Sequence, residues 1–156
     1  MTFLKNFILI VATFFLVYAE VGINTFLSGN EYLEALPFLI YLFYIASFKF
    51  SRNSLIVLIL NGFYYDLFFT DNYLGYTSIK FLTICTIVNF ISTKSDLGLT
   101  NNFFLFYVSA LIYKFEIVFV NIYTTFFYFL VICFPNYLLF KALTGNLRRD
   151  VFSTKI

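Results

Sequence analysis

The chain contains no histidine and no tryptophan, and only two cysteines, two prolines and six glycines. Without histidine there is no imidazole base for a serine or cysteine nucleophile and no imidazole metal ligand. Cys85 and Cys133 are far apart, each within an apolar run, so neither a CxxC motif, a zinc set nor a disulfide framework is available. They read as buried apolar side chains. Charge is scarce too: 12% of the residues are charged, and the net charge is only +2. No basic run suggests nucleic acid. Small residues are few, so close glycine-on-glycine packing cannot be a general device of the fold.

What is abundant is apolar surface. Of the 156 residues 62% are hydrophobic and 24% aromatic, with 25 phenylalanines. Mean hydropathy is +0.89. A soluble domain of this length has too small an interior for so much apolar surface, whereas a membrane protein uses lipid as solvent. The expected fold class is therefore an all-α integral membrane protein. Lys5 followed by an apolar run resembles the start of a signal peptide, and Val17-Tyr18-Ala19 resembles a loose cleavage site. The apolar run resumes after Glu20, however, so the expectation is an uncleaved first span.

Crossing the hydrocarbon core takes about 20 helical residues. The pattern predicts a single domain of six spans, near residues 7–27, 36–48, 54–69, 76–92, 103–120 and 124–141. The second is short and is expected to borrow from its flanks. Pro37 suits a first helical turn. Residues 103–140 show no clear break, and as one helix they would run about 57 Å, nearly twice the core. A turn at Lys114 would leave a fifth span of about 11 residues, too short to cross, so the turn is placed at residues 121–125. A polar, basic tail follows from Thr144.

Lys5, Lys49, Arg52, Lys94, Lys141, Arg148, Arg149 and Lys155 then fall on one side, with Glu31, Glu34 and Asp71 opposite. By the positive-inside rule both termini are cytoplasmic. Five charges remain within spans, all in the outer half: Glu20, Asp66, Lys80, Lys114 and Glu116. Lysine snorkels easily to headgroups and aspartate hardly at all, so Asp66 is a functional candidate. Lys114 and Glu116 are two apart and point to opposite sides of a helix. Asp66 and Lys80 lie nearly symmetrically about the central turn, so a hairpin would bring them to one depth as an ion pair. Gly62 is one helical turn from Asp66 and reads as a packing notch that lets a neighbouring helix shield the carboxylate.

Gly62-x-x-x-Asp66, a short polar turn, and Leu74-Gly75 opening the next helix resemble the signature of MreD, the rod shape-determining membrane protein family of bacteria. Length, six spans, and Pro135 leading through Leu138-Leu139 into a basic tail are also similar. The motif itself covers only residues 62–75, and Tyr73 stands where the family often has proline. The resemblance implies a non-enzymatic protein of the inner membrane that needs no cofactor. Its partners would be an MreC-type periplasmic protein, the RodA glycosyltransferase, a penicillin-binding transpeptidase and the MreB filament. It also implies a bundle similar to the substrate-binding subunits of energy-coupling vitamin transporters. The alternative function is therefore a small-molecule binding subunit of such a transporter. A membrane enzyme is the weakest reading, because no nucleophile-base set is present.

Overall fold

The computed structural model describes residues 2–27, 34–70, 73–94, 103–115 and 122–153, and among these six α-helices follow one another. They are α1 (Thr2–Leu27), α2 (Pro37–Phe48), α3 (Arg52–Phe69), α4 (Tyr76–Lys94), α5 (Phe103–Tyr113) and α6 (Ile122–Ser153). No strand occurs among the described residues. The breaks fall where the sequence supplies stop and start signals. Pro37 opens α2, where a missing N–H costs nothing. Ser51 caps α3, its side chain accepting from the Ser54 N–H at 3.2 Å. Gly75, at φ +94°, makes the turn into α4 in a conformation that only glycine adopts readily.

α2 is apolar on all sides and sits at the centre, in contact with α1, α4, α5 and α6. Phe38, Leu39, Leu42 and Phe43 are fully enclosed. Phe43 meets Phe106 of α5 and Phe140 of α6, with ring centroids 5.3 and 5.0 Å apart. α3 packs chiefly on α4 and also on α1, and α5 packs on α6. Around this core each of the six helices turns at least one large apolar side chain outward, among them Phe15, Phe26, Phe48, Leu67, Ile79, Phe104 and Phe127. So many large apolar side chains turned outward are unfavourable in water. Among the described residues two helices are long and apolar enough to cross a membrane, through the windows Ile10–Leu27 and Phe126–Thr144.

Several boundaries differ from the sequence expectation. α2 does not borrow from its flanks: its 12 residues rise about 18 Å. α5 is described over the 11 residues Phe103–Tyr113, with Lys114 in a turn; residues 116–120, which complete the expected fifth span, lie outside the described residues. Glu116 and Asn121 lie outside the described residues, as do Glu31 and Asp71. α6 already includes 122–125 and continues past Lys141 to Ser153. The stretch after Lys141 has no proline, and one Gly145 costs a helix only about 1 kcal/mol.

Candidate functional site

Several polar side chains of the described residues meet where α1, α3 and α5 end and α2 and α4 begin. They form two linked structures.

The first is the α3–α4 hairpin. The Asp66 carboxylate is buried and accepts the backbone N–H of Gly75 at 2.7 Å and that of Thr77 at 3.2 Å. It therefore caps the start of α4 from the neighbouring helix, satisfying donors that a helix cannot pair internally and facing the positive end of its dipole. One turn earlier Gly62 lies directly against Ser78. A Cβ placed on it would come within 2.4 Å of the Ser78 Oγ and 2.5 Å of its Cα and N. Ser78 in turn donates its hydroxyl to the Ile59 carbonyl at 2.9 Å. Gly75 makes the left-handed turn that aims its own N–H at Asp66, while Tyr73 and Leu74 stand exposed at the hairpin tip.

The expected Asp66–Lys80 ion pair is not among the ion pairs of the described residues. The reason is reach. The short Asp66 side chain meets the first N–H groups of α4, whereas Lys80 lies a turn further along that helix. The Lys80 Nζ sits 4.8 Å from the centroid of the Tyr76 ring, a cation–π distance.

The second structure encloses the start of α2. Leu36 occupies the N-cap position, has no side chain that could cap, and is fully buried. The cap comes from other helices. Glu20 of α1, itself buried, accepts the Phe38 N–H at 2.9 Å and the Tyr113 hydroxyl at 2.6 Å. Asn136 of α6 accepts the Leu36 N–H and donates to the Glu34 and Ile132 carbonyls, each at 2.9 Å. Asn24 of α1 takes both backbone groups of Ala35, at 2.8 and 2.9 Å. Lys114 pairs with Glu34. Asn136 lies about 21 Å along α6 from Ile122 at 1.5 Å per residue. Its bonds to residues 34 and 36 therefore draw this non-helical segment deep into the bundle. Backbone enclosed by helices needs partners from the protein, and these three side chains supply them to the N–H groups of Ala35, Leu36 and Phe38 and to the carbonyls of Glu34 and Ala35. Pro135, beside Asn136, lies on an exposed face of α6 and leaves the Val131 carbonyl without its helical donor.

Two clefts open between these structures and share Tyr65 and Lys114. One, of about 340 Å³, is lined by Glu20, Asn24, Glu34 and Phe69 among others. The other, of about 110 Å³, is lined by Thr70, Thr77, Lys80, Phe81 and Tyr113.

Of the residues singled out from sequence, Gly62, Asp66 and Gly75 act together in the hairpin, and Glu20 and Lys114 belong to the α2 start. Leu74 and Pro135 lie outside both networks. Sequence reasoning passed over Asn24, Tyr113 and Asn136, and took Glu34 only as a loop charge. Their signal was indirect: Leu36-Pro37 begins a helix with no capping side chain, so another helix must supply the acceptor. No family model matches the chain, and neither a curated protein nor a solved structure does.

Proposed function

We propose that this chain is a six-span inner-membrane protein with both termini in the cytoplasm, serving without catalysis in the bacterial cell-wall elongation machinery as MreD proteins do. The observation that carries this reading is the joint use of the signature residues. Asp66 caps the helix that Gly75 turns into, and Gly62 admits that helix at backbone distance. A motif whose members all serve one hairpin is expected to be kept for what the hairpin presents. Here that is the exposed Tyr73-Leu74 tip on the periplasmic side, a contact for an MreC-type partner. The outward apolar side chains on every helix support lipid as the surrounding medium. The short α2 supports it as well, since its buried start is capped by side chains of other helices.

One observation favours the second reading, a substrate-binding subunit of a vitamin-type transporter. The 340 Å³ cleft is within the size range of small-molecule sites and is lined by carboxylates, an amide and an ammonium. Depletion in a rod-shaped host separates the two. The elongation reading expects cells to become round within a few generations while vitamin uptake stays normal. Loss of uptake in cells of normal shape would establish the transporter reading instead.

A further inference from the structure

α1 and α6 both pack on α2 but stand largely apart from each other among the described residues. Between them lies an open groove of about 330 Å³. Ile40, Tyr41 and Tyr44 of α2 form its floor, Leu16 of α1 one wall, and Leu139 and Leu143 of α6 the other. No charged side chain lines it. Thr144, at its edge, is buried and donates its hydroxyl to the Phe140 carbonyl at 2.9 Å, and the Tyr41 hydroxyl is buried as well. An occupant is therefore held by apolar contact rather than by hydrogen bonds.

The groove starts beside Pro37 and follows α2 for about 10 Å to Tyr44, one turn before that helix ends. Just beyond, the Lys49 Nζ lies 5.7 Å from the centroid of the Tyr44 ring, and Arg52 opens α3. With both termini in the cytoplasm, these cations mark the level of the inner head groups. A cavity of about 150 Å³ takes the six carbons of benzene, so this groove has room for about a dozen carbons. A helix is about 10–12 Å across with its side chains, and can only lie over the rim. Helices also associate in lipid through small residues that let backbones approach, whereas this lining is leucine, isoleucine and tyrosine, with its one small side chain buried.

We propose that the groove holds one acyl chain of a phospholipid from the leaflet whose head groups lie level with Lys49. The inference rests on the membrane-spanning part of the reading above, not on its cell-wall part.

The test purifies the full chain in a mild detergent until bulk lipid is gone, and counts the phospholipid that stays by native mass spectrometry. Palmitoyl-oleoyl phosphatidylethanolamine is then added back and thermal unfolding is followed, with glycerophosphoethanolamine as the head group without chains. One phospholipid should remain per wild-type chain, and the intact lipid, but not its head group, should stabilise. Leu143→Trp places an indole in the groove from an exposed position and should weaken retention by about tenfold, the equivalent of about two buried methylenes. It should unfold no earlier than wild type stripped of lipid. Leu139→Trp fills the same wall from a second exposed position and should behave alike. Phe127→Trp, on an outward face of α6 away from the groove, should retain lipid as wild type does. No retained phospholipid overturns the inference, as does retention by both groove variants equal to that of wild type, or stabilisation by the head group alone. A wild type of two chains that becomes one in Leu143→Trp also overturns it, by seating a second copy on the groove. Carbonate extraction of host membranes separates the two readings. If it releases the wild-type chain, the membrane reading and the inference fall together; if the chain stays but keeps no lipid, only the inference falls.

Discussion

Gly62→Ala should destabilise the protein by about 3 kcal/mol, at the upper end of what overpacking a close contact costs. The new methyl would come within 2.5 Å of the Ser78 Cα and N, and backbone atoms cannot rotate away. α3 and α4 must separate, which also removes the Ser78 hydroxyl from the Ile59 carbonyl. The Asp66 cap is loosened with them, because it depends on the same approach of α4. Unfolding by a denaturing detergent, titrated into protein held in a mild one, reads the loss. Ser78→Ala in the Gly62→Ala background should restore little, since only one of the three clashing atoms is the Ser78 hydroxyl. A Gly62→Ala protein within about 0.5 kcal/mol of wild type would mean that the helices are not held this close.

Asp66→Ala should cost about 2–4 kcal/mol. It leaves the Gly75 and Thr77 N–H groups without their acceptor, and a buried donor left unsatisfied costs about 1–3 kcal/mol. Asp66→Asn retains one acceptor oxygen in nearly the same volume, so its cost should be about 1 kcal/mol. Lys80→Met tests the older expectation of a charge pair. With Asp66 engaged by backbone, the two substitutions should add to within about 0.5 kcal/mol, as independent sites do. Exchanging the charges, Asp66→Lys with Lys80→Asp, should rescue nothing. Recovery in the double variant would show that the two side chains do interact.

These two residues show what the sequence could and could not reveal. The notch at Gly62 was legible because small residues are so scarce that one beside an aspartate in an apolar run stands out. That Asp66 is enclosed rather than solvated was legible too, but not its partner. Symmetry about a turn suggested Lys80, whereas hydrogen bonding is decided by reach, and the nearest donors were backbone groups that no residue identity announces. The helical class followed directly from apolar runs. The boundaries were less legible where no breaker stands, as after Lys141, where α6 simply continues. Least legible was the network at the start of α2. Glu20 was visible as a charge in an apolar run, but Asn24 and Asn136 are unremarkable polar residues until the fold brings residues 34–36 between them. That approach is a property of tertiary packing, about 100 residues apart in the chain for Asn136 and Leu36, and periodicity carries no trace of it.

The elongation reading is tested most directly by what leaves the membrane with the protein. Tagged chain is extracted from its host in a mild detergent, purified by the tag, and its companions are identified by mass spectrometry. The account predicts a single-span periplasmic protein together with the wall glycosyltransferase or its transpeptidase. Recovery of the ATP-hydrolysing subunits of a transporter, with none of the wall-synthesis proteins, would contradict it.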